Sequence, residues 1–217
     1  PDGSNVYTKK LYTFNDTVSA RHHLVSASVG VTCAKKFSGR YYAYYKNGST
    51  GDIHVMDSNS WDFSTYSSSI ANTINPAKEY RMSVIELGGK YHMIYNDDNS
   101  EGGQSIWVYS DTTPLFNNDP QETEIVNAHN TDLKCAYAIA FDESHAAIVI
   151  EEDNVDEVYF YMAEYDGNNW SYDDYYAVFD VSGNNNNAYA WCIAKNDAST
   201  YEDSYQLDEG ITADARK

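Results

Sequence analysis

Cysteine is scarce, with three residues in 217, at Cys33, Cys135 and Cys192. The count is odd, the spacing is wide and each lies in an apolar run, which argues against a disulfide-stapled scaffold, and buried free thiols are expected. Four prolines and 12 glycines leave no room for a collagen-like or proline-rich fibre. Basic residues are few: 14 Lys and Arg stand against 33 Asp and Glu, for a net charge of −19. That balance argues against nucleic acid and against anionic membranes as partners. No apolar run approaches the ~18 residues of a membrane-spanning helix, so membrane insertion is not expected either. The first residues, Pro1 to Asn5, show neither an initiator Met nor a charged-then-apolar leader. It is the cysteine usage, odd in number and widely spaced, that favours a cytoplasmic or non-classically secreted protein.

What remains is ample. Hydrophobic residues make up 42% of the chain, enough for a core, and 21 of the residues are tyrosine. Helical periodicity is almost absent. Short β-branched and aromatic runs alternate with Asn, Asp, Gly and Ser clusters, as in Arg40 to Tyr45, Tyr91 to Tyr95 and Ala146 to Ile150. Tyrosine suits strands packed on one side, because the ring is buried while the hydroxyl reaches water. The class is all-β.

The runs repeat. Ser38 to Tyr45, Gly88 to Tyr95 and Glu143 to Ile150 align as second strands, each followed by a polar loop and a third strand near Ile53, Ser105 and Val158. Fourth strands follow near Ile70, Ile125 and Val178, and first strands precede at Val29 to Cys33, Met82 to Leu87 and Ala136 to Phe141. A fourth copy begins at Tyr189 and breaks off, while Asn5 to Tyr12 and Thr17-Val18 resemble its missing third and fourth strands. One domain is expected: a four-bladed β-propeller with one blade shared between the N- and C-termini. Its blades would be approximately residues 19–74, 75–130, 131–184, and 185–217 with 1–18. Sharing a blade between the ends closes the ring and protects the edges. A β-sandwich is the alternative architecture.

Three turn aromatics punctuate the copies: Trp61, Phe116 and Trp170. An exposed aromatic ring stacks on the C–H face of a sugar, and neighbouring acids accept from its hydroxyls. Asp57, Asp111 and Asp166 precede the three rings by four or five residues, and Arg40 and Tyr42 lie nearby. These eight residues form the expected ligand-binding set. The same rings could instead plug the spaces between blades.

Segments such as Phe37 to Tyr66 and Leu87 to Asp111 resemble blades of two propeller groups. One is the fungal and bacterial propeller lectins. The other is the five-bladed glycoside hydrolases acting on arabinose- or xylose-containing polysaccharides. The lectin resemblance implies a non-catalytic carbohydrate-binding protein with repeated sites, and that is the leading expectation. The hydrolase resemblance implies a pair of carboxylates and a helper acid on inner strands, for which Glu86, Asp132 and Asp142 are the candidates. A protein-interaction or inhibitor propeller is a third alternative. Expected partners are glycans or glycoconjugates, with a homodimer admitted. No cofactor and no metal are expected: the acidic loops Asn96 to Glu101 and Glu151 to Glu157 do not follow an EF-hand order, and the six histidines form no zinc-binding spacing. His92 and His145 fall within second strands and read as packing residues, while His22-His23 is placed beside Arg81 and Lys134 near a central tunnel.

Overall fold

The computed structural model describes residues 5–8, 22–26, 29–47, 50–71, 82–98, 104–118, 121–128, 133–152, 157–172 and 176–180. Among them there is strand and no helix. The first sheet holds β3 (Val29–Phe37), β4 (Arg40–Asn47), β5 (Ile53–Ser58) and β6 (Ser67–Ile70), in that spatial order. The second holds β7 (Ser83–Leu87), β8 (Lys90–Asp98), β9 (Gln104–Asp111) and β10 (Gln121–Ala128), again in sequence order. The third repeats the meander with β11 (Leu133–Ala140), β12 (His145–Glu152) and β13 (Glu157–Tyr165), and here both β14 (Trp170–Tyr172) and β15 (Tyr176–Asp180) pair with β13. All pairings among the described strands are antiparallel, the arrangement that direct connections between neighbouring strands allow. The described chain thus forms three antiparallel meanders of four, four and five strands.

The N-terminal segment differs from its expected arrangement. β1 (Asn5–Thr8) pairs with β2 (His22–Ser26), so His22-His23 belongs to this two-stranded sheet. Thr17, Val18, Arg81 and residues 181–217, which include the expected fourth copy, lie outside the described residues.

Side-chain alternation explains how the sheets stack. In β4, Tyr42 and Tyr44 face one cluster with Val84, Met93 and Tyr95 of the second sheet, while Ala43 and Tyr45 face another with Met56 and Phe63. Met93 of β8 faces the first sheet, and its neighbour Ile94 faces the third with Ile148, Tyr161 and Ala163. The second sheet is thus buried on both faces. A one-residue slip in register would exchange the two clusters, so the register is strongly specified. Each of these buried Ile, Val and Met side chains contributes about 1.5–3 kcal/mol relative to exposure. First strands follow one another across the sheets, with β3 packed on β7 and β7 on β11. Ala138 N donates to Ser83 Oγ at 2.9 Å, locking β11 to β7. Apolar faces are also buried at both ends of the stack, around Phe63 in the first sheet and around Phe160 in the third.

Candidate functional site

The ends of β7 and β11 define an open groove of about 690 Å³, walled by residues 86–89 on one side and 140–143 on the other. β7 passes into β8 through Gly88 and Gly89, both with positive φ (56° and 73°). At Gly88 even a Cβ would come within 3.0 Å of the Tyr165 ring, so the hairpin can dock on the third sheet only without a side chain. The Gly88 N–H donates to Glu143 O at 3.1 Å, and Tyr165 N–H donates to Ser144 O at 2.7 Å. Leu87 and Phe141 are buried beneath the groove, whereas Glu86 and Glu143 are exposed on its walls.

Asp142 is held differently. Its carboxylate accepts from the backbone N–H of Ser144 (2.8 Å) and of His145 (2.7 Å), and from His145 Nδ1–H at 2.8 Å. Burial alone would raise this carboxyl. The Ser144 and His145 donors outweigh it and hold the group below the usual range, so it stays ionised and fixes the His145 ring. Of the three expected inner-strand acids, Glu86 and Asp142 reach one groove, and Asp132 lies outside the described residues. Glu143 was not anticipated. Its only sequence signal is its place beside Asp142 in the Asp-Glu-Ser turn.

The expected ligand-binding residues are distributed over three sheets. Arg40, Tyr42 and Asp57 come together: Tyr42 and Asp57 are opposite each other on β4 and β5, and Arg40 forms an ion pair with Asp57 while its Nη1 donates to Asn59 Oδ1 at 2.7 Å. Trp61 is half-buried in the following turn. Phe116 requires correction, because it is fully buried, edge-on to Tyr44 at 6.0 Å, and has no face to offer a ligand. Its counterpart is Phe63. The two share φ values of 51° and 53°, and each N–H closes its turn, onto Thr113 O and Ser60 O. Trp61 therefore aligns with Pro114. Asp111 is buried and spends its carboxylate on the N–H groups of Thr113 (3.1 Å) and Asn118 (2.9 Å). Asp166 likewise accepts from Asn168 and Asn169. Trp170 opens β14 and packs on Tyr165 and His92, with ring centroids 5.1 and 5.0 Å away. The acceptor-plus-platform set expected in three copies is thus a set of turn caps and inter-sheet plugs, apart from the cluster around Arg40.

His92 is the packing residue expected of it. It is fully buried between Tyr165 and Trp170, with Nδ1 2.8 Å from Ser110 Oγ and Nε2 3.1 Å from Leu87 O. Because a carbonyl can only accept, the proton sits on Nε2 and Ser110 donates to Nδ1. Among the described residues no group of three or more His, Cys, Asp or Glu is arranged to hold a metal ion.

No protein-family profile and no curated protein matches the chain. Solved structures do resemble it. A thermostable family-43 glycoside hydrolase is 16% identical with a TM-score of 0.49, covering 69% of this chain and 54% of its own. An exo-β-1,3-galactanase from Phanerochaete chrysosporium, determined with β-1,3-galactotriose, is 15% identical with a TM-score of 0.49, over 80% and 42% of the two chains. Fructan 1-exohydrolase IIa from Cichorium intybus is 14% identical with a TM-score of 0.49, over 67% and 32%. The chain spans about half or less of the length of each. The expected distant resemblance to hydrolase blades is met by these structures. All three carry the names of enzymes, and on that finding the expectation of a non-catalytic protein is corrected.

Proposed function

We propose that the chain forms a carbohydrate-active β-propeller that cleaves glycosidic bonds in the groove between β7 and β11. The fold proposal has four blades, the last shared between the termini. Its support is the pair of buried apolar faces at the two ends of the three-sheet stack, each of which needs a covering layer.

The observation that carries the functional reading is the placement of Glu86 and Glu143 on opposite walls of one groove, with no side chain at Gly88 and Gly89 to obstruct it. Its volume is within the ~300–1,000 Å³ of small-molecule sites. Two carboxyl groups flanking a glycosidic bond can divide the work: one donates a proton to the leaving oxygen, and the other, ionised, takes a proton from water or attacks the sugar carbon. Asp142, ionised and bonded to His145, supplies a fixed negative charge at the edge of the groove.

The test is hydrolysis of aryl arabinosides, xylosides and galactosides, and of arabinoxylan, by the wild type and by Glu86→Gln and Glu143→Gln. Turnover that falls at least about a hundredfold in either variant supports the assignment. Undiminished turnover in both would remove this groove as the active site. The Arg40, Asp57 and Asn59 cluster beside Trp61 is a secondary glycan-contact surface, and Trp61→Ala should weaken polysaccharide retention without lowering turnover of small aryl glycosides.

A further inference from the structure

The acidic charge of the chain is very unevenly spread. Residues 29–71, the first sheet, carry Lys35, Lys36, Arg40 and Lys46 against Asp52, Asp57 and Asp62, close to neutrality in a protein of net charge −19. The second sheet, residues 82–128, sets Lys90 alone against eight acids, and the third, residues 133–180, sets Lys134 alone against twelve. From Phe63 to Ala77 there is no charged residue at all.

That uncharged stretch contains the outer strand β6, which among the described residues pairs with β5 on one side only. An outer strand presents unpaired N–H and C=O groups, and proteins ordinarily guard such edges with charge or proline. The sister edges are guarded. β10 displays Glu122 and Glu124, both exposed, and β14 runs into Asp173-Asp174 before β15, which ends at Asp180. β6 reads Ser-Ser-Ser-Ile. Among the described residues three large hydrophobic side chains are exposed, and two of them are here: Tyr66 (46%) just before this strand and Ile70 (54%), its last residue. They lie on the same side as Ser68, since alternate residues share a face. His54 stands opposite Ile70 on that side, and its ring lies 5.3 Å from that of Tyr45.

We propose that β6 is the self-association edge of this protein, pairing antiparallel with β6 of a second copy about a two-fold axis. The occupant follows from charge. Elsewhere two copies would bring acidic sheets together, whereas at β6 near-neutral sheets meet and the acidic ones point apart. The two-fold arrangement also joins the Tyr66 and Ile70 sides of both copies into one apolar face. Such an interface is isologous and closed, giving dimers and not fibres. A four-residue edge is short, so the dimer is weak, and salt strengthens it by screening the long-range repulsion between the two acidic chains. This inference does not depend on the hydrolase reading.

Sedimentation of the full chain over a concentration series, at low and at high sodium chloride, tests it. The expected result is a monomer–dimer equilibrium that tightens with salt. Ser68→Lys should weaken it by roughly tenfold or more, because the axis sets like charges beside each other. Thr123→Lys, which adds the same charge to the β10 edge, should leave it unchanged. Amide exchange in the wild type provides a readout free of mutation, and protection of residues 67–70 should rise with protein concentration. A protein that stays monomeric across the series, or a dimer equally sensitive to both lysines, or exchange in β6 that ignores concentration, overturns the proposal.

Discussion

Replacing His92 by Gln isolates the acid sensitivity of the contact between the second and third sheets. The imidazole is buried between the Tyr165 and Trp170 rings and is neutral. Burial lowers its pKa from 6.5 to about 4; the Leu87 carbonyl pulls upward, and the nearby Lys90 charge pushes further down. Because the folded value lies below the unfolded one, the unfolded chain takes up a proton first as the pH falls. Stability is therefore fully present above 6.5, declines below it and reaches its full loss near the folded value of about 4. At about 1.4 kcal/mol per unit, this one residue costs about 3 kcal/mol at the acid end and about 2 kcal/mol by pH ~5. A Gln amide can donate to Leu87 O and accept from Ser110 but does not titrate, at a cost of about 1–2 kcal/mol in packing near neutrality. Urea unfolding followed by tryptophan fluorescence from pH ~7.5 to ~5 measures both proteins. The carboxylates and the other five histidines act alike in each, so the wild-type advantage should shrink by about 2 kcal/mol across that range. Parallel stability curves would refute the buried neutral imidazole.

The remaining expectations concern backbone, core and thiol. Gly88→Ala should cost about 2–3 kcal/mol by thermal or urea unfolding, because the added Cβ meets the Tyr165 ring at 3.0 Å and φ is 56°; Gly89→Ala, with φ of 73° and open space, should cost about 1 kcal/mol. Phe116→Ala should lose about 3–4 kcal/mol of stability through the cavity left between the first and second sheets. Phe116→Gly should be no worse than the alanine variant, reversing the usual order, because φ of 51° suits glycine; an alanine variant more stable by about 1 kcal/mol would contradict that reasoning. Cys33 is a free thiol whose pKa burial pushes up, so peptide mapping after maleimide labelling should find it unmodified in the native protein and modified in urea.

Strand positions were legible because each hairpin leaves two local marks, a Gly- or Ser-containing turn and the alternation of a sheet buried on one or both faces. The second strands beginning at Arg40, Lys90 and His145 follow Ser38-Gly39, Gly88-Gly89 and Glu143-Ser144, and the core clusters confirm the parity at each. The turns after the third strands were harder. Trp61 is the most conspicuous residue of its turn, and aligning on it obscured the plug at Phe63. The residues that determine the turn are the cap and the closing N–H: Ser58 Oγ accepts from Ser60 N as Asp111 Oδ1 accepts from Thr113 N, and Phe63 and Phe116 then fall into register. A hydroxyl and a carboxylate perform the same task, so identity between residue types was the wrong criterion there.

Contacts between sheets were not legible by any local rule. Gly88 and Tyr165 are far apart in sequence, and nothing near Gly88 announces that an aromatic ring occupies the space a side chain would need. Lys90 illustrates the same limit. Its Nζ reaches Gly167 O at 3.2 Å and lies 5.6 Å from the centre of the Tyr165 ring, so the basic residue of the second-strand motif is committed to the neighbouring sheet. Arg40 occupies the corresponding position in the first sheet and is instead held within its own sheet by Asp57 and Asn59. Equivalent residues in a repeat share a backbone environment, but each meets a different neighbour. The groove arises from that inequality: the β7–β8 hairpin has shed its side chains to fit the third sheet, and the space this leaves is bordered by the acids of both.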